Sequence, residues 1–326
     1  MKVLITGSTG FIGSHLVEAL LGRGDDVTCL LRRTSDPRFL ENLNVRQIEG
    51  DYSRPETLEN AVTGMDAVFH LAGVISGENW ESYRRGNVEA TRHLIEACVH
   101  ATPRPASFIL VSSISAAGPG PEGVFRKETD PGQPQSFYGR SKKMAEEAVL
   151  SVASEIPVVV IRPPNVLGPR QKELLQAIRM IKKRIVPVLG NGRLQTSVVY
   201  VEDLVRILMA VADLRRTPRS LYYVCHPRAC AWRDITAEIR GELGIRSPVL
   251  KVPYQIQIAF AALAEGLARL TSTRPRISRE HIRAARSQYW LFDGSAIEHD
   301  LGLRADTDMQ TAIRRTVSWY RTTHQI

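Results

Sequence analysis

Tyr138 and Lys142 stand four residues apart in "SFYGRSKKMAEEAVL". A helix repeats about every 3.6 residues, so side chains at i and i+4 share a face and reach one small molecule. A free phenol, with a pKa of roughly 10, is a poor base at neutral pH, and a nearby ammonium shifts it toward phenolate. Such a pair can pass a proton to or from a substrate oxygen. A tyrosine lying along a surface lysine shows the same spacing, so the pattern carries weight only in context.

A second group of residues suits a nucleotide. In "VLITGSTGFIGSHL", Gly7, Gly10 and Gly13 fall between an apolar strand and an amphipathic helix. Where side chains are absent, the backbone N–H groups of a helix N-terminus can approach a pyrophosphate. Turns and helix packing also select glycine, but strand before and helix after is the context that dinucleotide binding requires. Ser112 and Ser113 close another apolar run, "SFILVSS". There an open parallel sheet presents its site, and a hydroxyl can hydrogen-bond a reacting oxygen.

The elements that must hold these groups alternate in type. "KVLIT", "DVTCLL", "VRQIEG", "DAVFHLA", "SFILVSS" and "PVVVIRP" are short β-rich runs, separated by amphipathic segments at about 11–22, 55–63, 80–101 and 136–153. The alternation predicts an α/β chain with a Rossmann-type, doubly wound parallel sheet covered by helices on both faces. After Pro169 the rhythm breaks into a helix near 171–183, a strand "SVVYV", a helix from Glu202, a strand "LYYV" and several further helices. A chain of 326 residues is large for one core. Residues 1–168 are therefore expected to form a dinucleotide-binding domain and 169–326 a smaller, mostly helical substrate domain, with about 197–225 returning to the sheet.

Composition narrows the function classes. Hydrophobic residues at 43% and charged ones at 24% describe a globular chain. The net charge of +9 suits an anionic ligand or an acidic membrane surface, or reflects solvated arginines; no nucleic-acid motif accompanies it, and no nucleic-acid partner is expected. Cys29, Cys98, Cys225 and Cys230 have no paired ligand spacing, so no metal site is expected. "MKVLITG" passes directly into a strand with no room for a signal peptide, and no apolar run reaches about 18 residues, which predicts a cytoplasmic enzyme without a spanning helix.

The Gly-x-x-Gly-x-x-Gly turn, "HLAG" at 70–73, "SS" at 112–113 and "YGRSK" at 138–142 together resemble the extended short-chain dehydrogenase/reductases. That family includes NAD-dependent epimerases and dehydratases, 3-beta-hydroxysteroid dehydrogenases and dihydroflavonol reductases. "RPPNVLGP" at 162–169 and "VVYVEDLV" at 198–205 continue the likeness in order along nearly the whole chain. "SSISAAGPGPEG" and "YGRSKKMAEEAVL" look most like the steroid dehydrogenase and flavonol reductase branch. The resemblance implies Tyr138 as the proton carrier while hydride moves between nicotinamide and substrate carbon, with Lys142 also holding the nicotinamide ribose. Counting back from Gly118 in the family's Ser-Ser-x-x-x-x-Gly pattern, it selects Ser113 as the third catalytic residue, with Ser112 as rival. Cofactor contacts are implied for Gly7, Thr9, Gly10, Phe11, Ile12, Gly13, Asp51, Tyr52, Leu71, Ala72, Gly73, Pro164 and Val166, besides Tyr138 and Lys142. Asn87 is expected either to support the cofactor side of the site or to bond nearby backbone. A homodimer through the helices near 80–101 and 136–153 is implied as well. Non-catalytic relatives that only bind dinucleotide commonly lose the Tyr or the Lys, and this chain has both.

Cofactor and substrate follow from two departures. NAD enzymes place a carboxylate at the end of the second strand to bind the adenosine ribose. Here that place is Leu31, and Arg32 and Arg33 follow, a pair able to bind a 2'-phosphate. NADP is the expected cofactor, with NAD the alternative if one arginine stacks on adenine. Nucleotide-sugar epimerases usually carry an Arg-Asp pair where "LQTSVVYVED" has Thr196 and Ser197, although Arg193 or Arg283 could substitute. "VPYQIQIAFAALAEGLARL" reads as an amphipathic helix that packs in the core or lies on lipid, which makes peripheral membrane contact through 254–270 the alternative to core packing. The expected substrate is a hydrophobic hydroxy or oxo compound, such as a steroid, terpenoid or flavonoid-like ketone; the other reading is a nucleotide-sugar epimerase or dehydratase.

Overall fold

The computed structural model describes residues 1–184, 186–189, 195–214, 217–246, 249–252, 254–270 and 289–326. Its first half follows the strand–helix alternation closely. Strands β1 (Lys2–Thr6), β2 (Asp26–Leu31), β3 (Arg46–Glu49), β4 (Ala67–His70), β5 (Ser107–Val111) and β6 (Val158–Arg162) are interleaved with α1 (Phe11–Arg23), α2 (Pro55–Val62), α3 (Trp80–Tyr83), α4 (Ala90–His100) and α5 (Phe137–Leu150). Beyond them lie β7 (Asn165–Leu167), α6 (Lys172–Lys182), β8 (Val186–Leu189), β9 (Gln195–Thr196), β10 (Val198–Tyr200), α7 (Val201–Asp213) and β11 (Leu221–Tyr223). The chain continues through β12 (Cys230–Ala231), α8 (Trp232–Leu243), β13 (Val249–Val252), α9 (Tyr254–Leu270), β14 (Tyr289–Trp290), α10 (Ser295–Leu301) and α11 (Met309–Thr322).

Seven strands form one parallel sheet in the order β11-β6-β5-β4-β1-β2-β3. Chain order reverses between β1 and β4, which opens a crevice at the carboxyl ends of these strands. Period-two alternation divides the core between two faces. Val3, Ile5, Phe69, Ile109 and Ile161 pack against α1 and α7 through Leu16, Leu20, Leu204 and Leu208. Leu4, Val68, Phe108, Leu110 and Val160 pack against α2, α4 and α5 through Leu58, Leu94, Cys98 and Val149. These strands read as continuous apolar runs because both faces are covered.

Two expected elements take a different form. The segment 80–101 is not one α-helix: a π-helical stretch, Arg84–Glu89, joins α3 to α4. Within it the Asn87 amide pairs with Val74 in both directions, accepting from its N–H at 2.7 Å and donating to its C=O at 3.0 Å. In the region after Pro169, β10 pairs with β7 in a separate two-stranded sheet while β11 joins the edge of the main sheet beside β6. No helix among the described residues is long and apolar enough to cross a membrane.

Candidate active site

The glycine turn leads straight into α1. Gly7 has φ +72°, and a Cβ there would lie 2.7 Å from the Ala72 nitrogen. A Cβ on Gly13 would stand 2.2 Å from the Gly7 carbonyl, so any larger residue pushes the helix off the turn. Gly10 caps α1 without a side-chain hydrogen bond, and no acidic residue occupies its first turn. The N-terminal N–H groups and the positive end of the helix dipole thus suit an anion. Thr9, Phe11 and Ile12 belong to this turn, and Leu71 to Gly73 lie beside it after β4, where Leu71 N–H bonds Thr6 O at 3.1 Å. Pro164 and Val166 are buried after β6, close to Gly168, whose Cβ would touch the Phe11 ring.

At the adjoining edge, Arg32 and Arg33 are exposed after β2 and form no ion pair with another described residue. Asp51, exposed after β3, accepts hydrogen bonds from the Ser53 N–H at 2.9 Å and hydroxyl at 2.7 Å, which hold its carboxyl below the ordinary range. Tyr52 turns inward, and burial pushes its hydroxyl up to about 12. From it a buried chain of hydrogen bonds runs along the sheet edge. The Tyr52 hydroxyl meets Thr6, Thr6 Oγ1 lies 2.7 Å from His70 Nδ1, and His70 Nε2 lies 2.9 Å from Thr91 Oγ1. Thr91 gives its own proton to Asn87 O at 2.6 Å, so its oxygen must accept from His70. His70 is consequently the neutral Nε2–H tautomer, and burial, with Lys142 nearby, lowers its pKa to about 3.

Ser113, Tyr138 and Lys142 converge where β5 meets α5. Ser136 caps α5 by accepting from Gly139 N–H at 3.0 Å, which sets Tyr138 in the first turn. Ser113, half-buried, accepts from Ser115 N–H at 3.1 Å and hydrogen-bonds the Tyr138 hydroxyl. Desolvation pushes Tyr138 up to about 12 against the opposing Ser113 bond, with Tyr83 and Glu146 adding to the rise. The Tyr83 ring lies 6.3 Å from that of Tyr138. Lys142 is 6% exposed and donates from Nζ to Val111 O at 2.8 Å. Burial brings its pKa down to about 8, with Glu146 opposing. Asn87 donates to Ser141 Oγ at 2.8 Å and so ties the π-helical stretch to α5.

The rival serine goes elsewhere. Ser112 donates to the Glu146 carboxylate inside a buried network with Arg162 and Tyr223. Sequence reasoning missed Glu146, Arg162, Tyr223, Thr6 and Thr91. The only signal was that Glu146 continues the i, i+4 series one turn beyond Lys142.

On the substrate side, Thr196 and Ser197 are engaged internally. Thr196 Oγ1 accepts from Asn165 at 2.9 Å, and Ser197 Oγ accepts from Phe292 N–H at 3.0 Å. Arg193 and Arg283 lie outside the described residues. Exposed apolar side chains stand on the segments that follow the carboxyl ends of the strands: Ile75 after β4, Val124 and Phe125 after β5, and Phe137 beside Tyr138. The described side chains of α9 divide between core and surface. Its Ala261 is buried, but Ile256, Phe260 and Leu263, spaced i, i+4 and i+7, are 46%, 67% and 60% exposed.

Known proteins share the sequence pattern and the fold. The NAD dependent epimerase/dehydratase family model matches residues 3–224. A ceramide reductase of Caulobacter vibrioides is 28% identical over 323 residues, which cover 98% of this chain and 94% of that one. Sterol demethylase protein B of Methylococcus capsulatus is 27% identical over 335 residues, covering 98% of each chain. The solved structure of MoeE5 in complex with UDP-glucuronic acid and NAD superposes with a TM-score of 0.79 at 25% identity, over 99% of this chain and 100% of that one. The chain belongs to the NAD dependent epimerase/dehydratase family and is an enzyme of the extended short-chain dehydrogenase/reductase type.

Proposed function

We propose that this enzyme interconverts a ketone and a secondary alcohol on a hydrophobic substrate of steroid, terpenoid or flavonoid-like character, with Ser113, Tyr138 and Lys142 as its catalytic residues. The observation that carries the reading is the contact between Ser113 and the Tyr138 hydroxyl, with Lys142 bonded to the carbonyl of Val111 two residues before Ser113, and with the exposed Ile75, Val124, Phe125 and Phe137 on segments that follow β4 and β5. The glycine turn and the N-terminus of α1 would hold the pyrophosphate of a nicotinamide dinucleotide, which would supply or accept the hydride. In the reducing direction Tyr138, protonated at neutral pH, gives its proton to the substrate oxygen. Ser113 hydrogen-bonds that oxygen, and the Lys142 ammonium lowers the cost of the phenolate left behind. Lys142, its pKa down to about 8, is itself poised to exchange a proton near neutrality.

NADP is the cofactor we assign, with NAD the alternative, on the strength of Leu31 followed by two exposed arginines. Residues 1–168 would hold it, while 169–326 supply the substrate side. The second reading, a nucleotide-sugar epimerase or dehydratase, draws on the likeness to MoeE5. Against it stands the internal use of Thr196 and Ser197, which leaves no cation at the position where such enzymes carry one.

Two surfaces bear on partners. Helices α4 and α5 pack side by side and share a groove of mixed character, lined by Met144, Ala148 and Val152 together with Arg92, Glu96 and Glu147, which supports a homodimer through this face. Sedimentation of native protein as a monomer at micromolar concentration would exclude that dimer. The apolar face of α9 supports either an entrance for a lipophilic substrate or a peripheral membrane contact. One titration series separates the readings. Lipophilic ketones should bind the NADPH complex more tightly than UDP-sugars, which should bind no better than millimolar, and replacing Ile258 or Phe260 by Glu should weaken the ketones. Micromolar, salt-sensitive UDP-sugar binding would promote the epimerase reading. Binding of anionic vesicles that survives Phe260→Glu would remove α9 from membrane contact.

A further inference from the structure

Three consecutive residues at the end of β5 are gripped by one face of α5. Val111 O accepts from Lys142, Ser112 donates to Glu146, and Ser113 meets Tyr138. Tyr138, Lys142 and Glu146 are spaced i, i+4 and i+8, so the Glu146 charge lies one turn beyond the Lys142 ammonium. Glu146 is itself clamped. Arg162 reaches its two oxygens from Nε at 2.9 Å and Nη2 at 2.6 Å, and donates from Nη1 to the Tyr223 hydroxyl at 3.0 Å. The side chains of Glu146 and Arg162 are only 3% and 7% exposed, so solvent screens their fields weakly. A buried ion pair adds little net stability over apolar packing of the same volume. Its place one turn from a proton-handling lysine calls for another account.

We infer that Glu146, held by Arg162, is a positioning residue: through Ser112 it sets the register of the β5 terminus against α5, and its charge sets how firmly Lys142 keeps its proton. The catalytic meaning rests on the proposed role of Lys142; the electrostatic coupling does not. The titratable and charged groups that surround Lys142 and Tyr138 are Glu146 on α5, His70 on β4, Arg162 on β6, Tyr223 on β11 and Tyr83 on α3. His70 is neutral above its lowered pKa, which leaves the ion pair as the source of full charge near neutrality.

The test reads Lys142 directly and needs no substrate. In protein labelled with 13C and 15N at its lysines, the Lys142 side-chain signal is identified by its loss in Lys142→Arg, and its midpoint is followed from pH 5 to 11. Glu146→Gln keeps shape and an acceptor but leaves Arg162 uncompensated. Its Lys142 midpoint should fall by about one unit, the order expected for a charge one helical turn away in a partly shielded interior. Arg162→Gln leaves Glu146 uncompensated and should raise the midpoint, while the double variant, with no unpaired charge, should lie between. Opposite shifts cannot come from loosened packing alone. If one single variant does not fold, the other single and the neutral double variant still give the sign. An unchanged midpoint, or shifts of the same sign in both single variants, would overturn the inference. A failure of the proposed reaction would appear instead as full ketone turnover by Lys142→Arg and would leave this result untouched.

Discussion

Lowering the pH should destabilise this fold through His70, and the size of the effect follows from its burial. His70 is 0% exposed, and its pKa falls from an ordinary 6.5 to about 3 because the charged ring would lose water without gaining an acceptor. Both ring nitrogens are already committed, Nδ1 accepting from Thr6 and Nε2–H donating to Thr91. The unfolded chain therefore takes up a proton below pH 6.5 that the native state refuses until about pH 3. Stability is complete above the unfolded value and is lost as pH falls through that window, at most about 5 kcal/mol and about 2 kcal/mol by pH 5. The measurement is urea unfolding of wild type and His70→Gln at half-unit steps from pH 7.5 to 5. Gln keeps a donor and an acceptor but cannot titrate, so the variant starts less stable and should lose about 2 kcal/mol less than wild type over the range. Other histidines contribute equally to both proteins and cancel. Parallel pH dependences would refute the buried neutral assignment.

The remaining predictions concern the chemistry. Tyr138→Phe should keep NADPH affinity and lose about 10²- to 10⁴-fold in turnover, because the ring packs as before and only the proton donor is gone; near-normal rates on any ketone the native enzyme reduces would remove Tyr138 from the mechanism. Replacing Arg32 and Arg33 together by Gln should shift preference from NADPH toward NADH by about tenfold or more, each charge-assisted bond being worth about 1.5–3 kcal/mol. Equal losses for the two cofactors, read by fluorescence titration, would show that these arginines do not meet a 2'-phosphate.

Much of this molecule is written locally. Alternating apolar runs and amphipathic segments determined the parallel sheet, because a strand buried on both faces must be continuously apolar and a covering helix must be apolar on one face only. The glycines at 7, 10 and 13 were legible for the same reason: the close approach they permit is a property of the residue type. The Tyr138–Lys142 pair was legible because four residues of helix are enough to bring it together. The tertiary structure alone decided the rest. It gave Ser112 and Ser113 different partners, Glu146 and Tyr138, eight residues apart on one face of α5, and a position at a strand end does not reveal which serine meets which. It turned 80–101 into helix, π-helical stretch and helix, because the Asn87 amide has partners in Val74 and Ser141, on segments that a helical period cannot see. It left Ile256, Phe260 and Leu263 exposed on a helix whose apolar stripe reads from sequence like any core helix, since the period of a stripe says which face is apolar and nothing about what that face meets. Arg162 met Glu146 because β6 packs beside α5, and Tyr223 joined Arg162 because β6 and β11 run side by side, a contact made across 61 residues of chain.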